Sequence, residues 1–257
     1  MGIGADTVTQ LAHAPRHVMR DQAAKTREQA KGRPVYYTEW NASSNPRDPL
    51  HDEPYTAAFV TKTLMEVDPL VEAFSFWTFS DIFSENYFPS IPFQGGFGLL
   101  NLQGIAKPVY RAYEILHRLG GERLDVDGQH DTVDVWVARG DHAITVLLTN
   151  HAFPRHPIDT QQVRVTLDHA PQPGGATVER IDADHANPRA LWHAWGEPKY
   201  LRAEEVARLE AASALVPEPQ AYDYANGTLT LKVSVAPPSV TAVTIRVPSA
   251  AAANGDQ

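Results

Sequence analysis

The sequence predicts a two-part chain. Residues 1–121 read as an α/β segment, residues 122–249 as an all-β antiparallel sandwich, and residues 250–257 as a flexible tail of small residues. Three observations predict this. Helix and strand patterns alternate up to Gly121, the grammar of βα repeats. The run Ala73-Phe74-Ser75-Phe76-Trp77-Thr78-Phe79 is nearly unbroken in apolar and aromatic residues, as a strand covered on both faces of a parallel sheet must be. After Gly121 the hydrophobic period drops to two, in short strands punctuated by turn residues.

Residues 6–31 carry helical spacing, with Val8, Leu11, Val18 and Ala23 set among polar residues. Pro15 interrupts them, so a break with a longer helix behind it is expected. His13 and His17 stand four apart, but Pro15 lies between them and no third ligand is evident; they read as surface histidines. Gly32 stops the helix and Pro34 opens a strand over Val35-Tyr36-Tyr37-Thr38-Glu39-Trp40-Asn41. A loop of serine, asparagine and proline follows. The next helix spans residues 53–67, with Asp52 or Glu53 as its cap, Pro54 in its first turn and Ala57, Val60, Leu64 and Val67 as its apolar stripe. In the strand over residues 73–79, alternation sends Phe74 and Phe76 to the helices and Ala73, Ser75 and Trp77 to the opposite face. Residues 80–104 form a long loop containing Asp81, Glu85, Asn86, Tyr87, Gly95, Gly96 and Gly98, and loops of this length in compact domains usually serve a function. Pro108 begins a helix that Gly120-Gly121 ends.

Beyond it, strands are expected over residues 132–138, 142–150, 161–167, 177–181, 228–235 and 241–247, with one helix over 203–214. Asn226-Gly227 marks a turn before the fifth of these strands. Trp136, Trp192 and Trp195 read as packing residues rather than as a carbohydrate-binding face, and His51, His151 and His185 as polar surface or hydrogen-bonded residues.

Bulk properties narrow the function classes. A net charge of −9 argues against nucleic acid or an anionic membrane as partner. With no cysteine there are no disulfides and no thiolate metal sites, and no histidine cluster has metal-ligand spacing. No cofactor is implied. No apolar run approaches the roughly 20 residues of a membrane span, so the expectation is a soluble protein whose compartment, cytoplasmic or secreted, stays open.

Glu39 is the residue the sequence singles out. It ends a short strand and precedes a loop, the position at which barrels and open parallel sheets carry their chemistry. Three stretches then resemble one family. Tyr37-Thr38-Glu39-Trp40-Asn41 is similar to the strand-seven motif of family 39 glycoside hydrolases, the β-xylosidases and their relatives. Residues 76–83, with Gly95-Gly96-Phe97-Gly98-Leu99 and Gly104-Ile105-Ala106-Lys107-Pro108, resemble that family's strand-eight segment, substrate loop and entry to helix eight. Asp184-His185-Ala186-Asn187-Pro188, Leu191-Trp192 and Gly196-Glu197-Pro198 resemble a segment of its C-terminal sandwich.

The resemblance implies a partial (β/α)8 barrel, about strands seven and eight with helices six to eight, followed by the sandwich. It implies retaining hydrolysis of β-xylosides or xylo-oligosaccharides, with two carboxyl groups about 5 Å apart. Glu39 would be the nucleophile, Trp77 a platform for the sugar's apolar face, Glu85 a ligand for sugar hydroxyls, and Asn41 and Asp81 orienting or supporting residues. Two departures stand out. Ser84 occupies a position where the family usually has a second acid beside Glu85, so specificity is expected to differ from xylose. The family's acid/base lies in an Asn-Glu-Pro motif on strand four, and this sequence has none; strands one to six are expected to be missing. The alternative is therefore a catalytically inactive barrel remnant with a sandwich, serving assembly or carbohydrate binding. Two parallel strands cannot close a barrel, so exposed edges at 35–37 and 74–76 and a homo-oligomer through the open side are expected.

Overall fold

The computed structural model describes residues 13–82, 91–153 and 156–248. The first half contains α1 (Val18–Gln29), β1 (Tyr36–Trp40), a 3-10 turn (Pro49–Asp52), α2 (Pro54–Val67), β2 (Ala73–Phe76) and α3 (Pro108–Arg118). Then come β3 (Glu122–Leu124), β4 (Val133–Arg139), β5 (Ala143–Asn150), β6 (Gln161–Leu167) and β7 (Ala176–Ile181). Two helices follow, α4 (Pro188–Ala194) and α5 (Ala203–Ser213), and the chain closes with β8 (Glu218–Pro219), β9 (Tyr222–Ala225), β10 (Thr228–Val235) and β11 (Ser239–Arg246).

The elements stack in layers. β1 and β2 pair in parallel and form a two-stranded sheet. Phe74, Phe76 and Trp40 pack from it onto Phe59 and Val60 of α2 and Val109 of α3. The other side of the helix layer rests on a six-stranded sheet of order β3-β4-β5-β11-β7-β8, where Ala57, Ala58, Ala112 and Ile115 meet Trp136, Leu147, Ile181 and Val240. The far face of that sheet shares a core with the three-stranded sheet β6-β10-β9, through Val146, Leu148, Val178 and Val243 against Leu229, Leu231 and Val233. All pairings within these two larger sheets are antiparallel. No barrel closes among the described residues.

α2 is sandwiched on both sides, so its buried surface extends well beyond one stripe and includes Lys62. The ammonium of Lys62 is ion-paired to Glu66 one turn along α2 and faces Asp134 of β4, which is also ion-paired to Arg16. Burial works to lower the pKa of Lys62, and these two carboxylates oppose it. His17 joins the cluster, 2.6 Å from Glu66. Gly121 turns the chain from α3 into β3 at φ +95°, and a Cβ there would run into the carbonyl oxygen of Arg139.

Several expectations are corrected. The longer helix expected behind Pro15 is present, from Val18 to Gln29, while the part before residue 13 lies outside the described residues, as does the tail from 249. The strand expected over 73–79 ends at Phe76, because the chain then leaves β1 and bonds to a glycine-rich segment instead. Helix α4, strands β3, β8 and β9 and the 3-10 turn were not anticipated; each is short, and packing rather than periodicity selects such elements. Of the two cap candidates Glu53 occupies the N-cap of α2, without a side-chain hydrogen bond there, and Asp52 does not. His51 is buried and hydrogen-bonded, the second of the two readings open to it, whereas His151 is buried with neither ring nitrogen hydrogen-bonded among the described residues. The expected exposure at 35–37 and 74–76 is found in part: Tyr36 and Ser75 are exposed, whereas Val35 is buried and Phe74 and Phe76 turn to the helices. What stays open is the opposite face: Tyr36 is 61% exposed, and beyond the strands Phe79 and Ile82 are 66% and 69% exposed.

No helix among the described residues is long and apolar enough to cross a membrane.

Candidate functional site

The site is built where β1 and β2 end. Strand β1 carries a bulge that decides which way Glu39 points. Tyr37 pairs with Phe74 and Trp40 with Phe76, so three steps along β1 match two along β2. Simple alternation would put Glu39 on the same face as Tyr37, towards the helices. The extra residue breaks the alternation: Thr38 and Glu39 are both exposed, while Trp40 returns to the helix side and is buried. Glu39 thus joins Tyr36, Ala73 and Ser75 on the open side of the sheet, and it makes no ion pair among the described residues.

Past Phe76, Trp77 donates its backbone N–H to the carbonyl oxygen of Trp40 at 2.9 Å, so its main chain is anchored one residue from Glu39. Trp77 is half-buried, and the Trp77–Thr78 peptide is cis. The backbone of 77–81 then runs beside 97–100: Thr78 N–H donates to Phe97 O at 3.0 Å, Leu99 N–H to Thr78 O at 2.9 Å and Asp81 N–H to Leu100 O at 2.9 Å. Asn41 clasps both segments, donating from Nδ2 to Trp77 O and, at 3.2 Å, to Phe97 O. Gly98 lies so close to Ser80 and Asp81 that a Cβ would collide with their backbone.

Under this rim lies a buried charge cluster. The Lys107 ammonium sits 2.7 Å from Asp52 and 2.8 Å from Asp81, and none of the three side chains is exposed. Gly95 N–H donates to Asp52 at 2.6 Å and Gly98 N–H to Asp81 at 2.8 Å. His51 bonds Gly95 O through Nδ1 at 2.9 Å. Because a carbonyl can only accept, Nδ1 carries the proton there. Burial, aided by the charge of Lys107, pushes the pKa of His51 down and keeps the ring neutral. Burial alone would lower the pKa of Lys107, but the two carboxylates outweigh it and hold the ammonium above the ordinary lysine range. There are two carboxylates for one ammonium, and burial pushes Asp81 upward.

Of the residues singled out by sequence, Glu39, Trp77 and Asn41 are brought together at the strand ends. Asp81 is close by in the chain but faces down into the Lys107 cluster, which uses both its oxygens. Glu85 lies outside the described residues. His51, Asp52 and Lys107 were missed as site residues. A signal for Lys107 was present: it occupies the N-cap of α3, where a cation opposes the helix dipole and calls for acidic partners. No group of three metal-ligating side chains occurs among the described residues.

This geometry can be set against known proteins. The model of glycosyl hydrolases family 39 matches residues 7–230. The chain belongs to that family. The β-xylosidase of Caldicellulosiruptor saccharolyticus is 42% identical over 240 residues, which are 92% of this chain and 49% of that protein. The β-xylosidase of Geobacillus stearothermophilus is 31% identical over 179 residues, 70% of this chain and 35% of that protein. The chain therefore spans about half the length, or less, of the curated relatives it matches. Among solved structures, a monomeric β-xylosidase from Caulobacter crescentus superposes with a TM-score of 0.75 at 27% identity, covering 90% of this chain and 50% of that one. A GH39 enzyme from Xanthomonas axonopodis pv. citri gives 0.76 at 25% identity, covering 91% and 50%.

Proposed function

We propose that this family 39 chain carries the nucleophile side of a retaining β-xylosidase site, with β1 and β2 as the last two strands of a (β/α)8 barrel and the two antiparallel sheets as its accessory sandwich. The observation that carries the reading is the bulge in β1, which turns Glu39 to the open face beside the anchored Trp77. Both relatives named above as β-xylosidases support a xyloside as substrate. In the proposed step a Glu39 carboxylate oxygen bonds to the anomeric carbon, and the bond from that carbon to the leaving oxygen breaks with its electron pair. Trp77 lies under the sugar ring, Glu85 takes its hydroxyls, and Asn41 and Asp81 hold the rim.

The first half-reaction can be tested without a general acid, by using a leaving group that needs no proton. A dinitrophenyl 2-deoxy-2-fluoro-β-xyloside is expected to leave one fluoroxylosyl ester on the peptide containing Glu39, read by mass spectrometry. The Glu39→Gln variant is expected to take none. Wild-type chain that stays unlabelled, or equal labelling of the variant, would sink the assignment.

The open face favours a second reading, in which it serves assembly. Tyr36, Phe79 and Ile82 are too exposed for a finished surface beside a would-be sugar site. A homo-oligomer that covers this face is expected to scatter light at a multiple of the 28.3 kDa chain mass. Tyr36→Glu should return it to monomer. A wild-type monomer at all concentrations would remove this reading.

A further inference from the structure

We propose that Lys107 is a positioning residue for the sugar-facing rim, tying the glycine segment 95–98 and, through it, the Trp77 backbone to the floor of the site. This rests on the glycosidase reading for what the rim binds, but not for what orders it.

An ammonium has three N–H donors. Here the ammonium donates to Asp81 Oδ1 at 3.0 Å and to the carbonyl oxygen of Gly96 at 2.9 Å, and it is ion-paired to Asp52 at 2.7 Å. The three partners come from different segments, namely the 3-10 turn after β1, the chain just past β2 and the glycine segment. Lys107 itself stands at the N-cap position of α3. One nitrogen therefore joins four parts of the chain at a point with no exposure to water.

The two carboxylates carry the constraint onward. Asp52 receives the N–H of Gly95 and Asp81 that of Gly98. With Gly95 O held by His51, Gly96 O by Lys107 and Phe97 O by Asn41 and Thr78, the backbone from Gly95 to Gly98 is fastened at five polar atoms. The same segment pairs with 78–81, so its position sets that of the chain leaving Trp77. The fit leaves no slack: a Cβ at Gly96 would strike the Asp81 carboxylate, and one at Gly95 would lie 2.6 Å from the Asp48 carbonyl oxygen. From the other side, Phe93 and Ile105 are anchored against Trp192 of α4 and Leu209 of α5.

A fully buried triad of this kind is a poor way to gain stability. Apolar residues of similar volume usually serve as well or better, because desolvation of the charges offsets their attraction. What such a triad does supply is direction, since charged hydrogen bonds fix the angles and lengths between the groups they join. An apolar floor would fill the same space and leave the rim backbone free to slide.

The test compares wild type with Lys107→Met and with the uncharged triple variant Asp52→Asn, Asp81→Asn, Lys107→Met, which keeps the volume and leaves no lone buried charge. Hydrogen exchange is read separately at the amides of 95–100 and at those of β5, β10 and β11. The proposal expects the triple variant to protect the β-strand amides as wild type does, while the rim amides exchange at least tenfold faster. Fluoroxyloside labelling of Glu39 is then followed against reagent concentration. The half-saturating concentration is expected to rise at least tenfold, with the rate at saturation changed less than threefold, because Trp77 moves and Glu39 does not. Rim amides as protected as in wild type would overturn the proposal, as would unchanged half-saturation in a labelled, folded triple variant. If Lys107→Met alone unfolds, the triple variant decides. If wild type takes no label, the glycosidase reading fails and the exchange data alone decide whether Lys107 orders the rim.

Discussion

Replacing Trp40 by alanine should destabilise the protein by about 3–5 kcal/mol, the range for truncating a large buried aromatic. Trp40 follows the proposed nucleophile directly, yet it is a core residue, 8% exposed. Its ring lies 5.6 Å from Phe59, 4.3 Å from Phe74 and 6.1 Å from Phe76. With Phe74 and Phe76 it is one of the side chains by which β1 and β2 grip α2. Removing it leaves a cavity where three elements meet, and among the described residues neither strand has a second sheet neighbour to hold it in place. Urea unfolding checks this: a Trp40→Ala midpoint equivalent to less than about 1 kcal/mol of loss would show that the parallel pair is held by other contacts. Trp40→Phe keeps a ring in the cluster and should lose less than half as much.

The second large effect is a pH dependence carried by His151. Its ring is buried among Tyr55, Phe59 and Phe153, at 4.8, 6.0 and 5.2 Å between centroids, and neither ring nitrogen has a hydrogen-bond partner among the described residues. Burial first, then the charges of Arg16 and Lys62, push its pKa down to about 3. In the unfolded chain a histidine titrates near 6.5. As pH falls, the unfolded state therefore takes the proton well before the native state does. The stability tied to neutral His151 is complete above pH 6.5 and declines below it, by about 1.4 kcal/mol per unit, until the native ring titrates near pH 3. At pH 5 the loss is about 2 kcal/mol. A phenylalanine fits the same aromatic surroundings and cannot titrate. His151→Phe should thus lose about 2 kcal/mol less than wild type between pH 7 and 5 in urea titrations. Equal losses in the two proteins would rule out His151 as the source.

Most of the regular structure was legible in the residues. The strands at 161–167 and 228–235 match the period-two runs that predict them, because one face of each is more buried than the other, and the strand at 143–150, covered on both faces, falls within a residue of its apolar run. The α2 and α3 helices follow their proline starts and apolar spacing closely. The short pieces were not legible. β8 and β9 exist because a neighbouring strand offers them hydrogen bonds, and α4 because Trp192 finds a pocket against Phe93. The buried charges were misread for a similar reason. Asp52 beside Glu53 and Pro54 looks like a helix cap by local rules, and only the return of the chain at Gly95 and Lys107 gives its carboxylate other work.

Residue order alone determined the family, the order of α/β and all-β parts, and the strand-end acid Glu39. These follow from local periodicity and from motifs whose residues are adjacent in the chain. Only the tertiary structure decided where Glu39 points and what the rim stands on. Alternation would have turned Glu39 into the helix layer, and one extra residue, visible only against the partner strand β2, turns it out to the open face. The Lys107 triad draws its members from positions 52, 81 and 107, which come together because α2 and α3 pack side by side beneath the strands. A pairing register and a buried ion triad are contacts between distant segments, and their energies depend on burial and distance that no local pattern encodes.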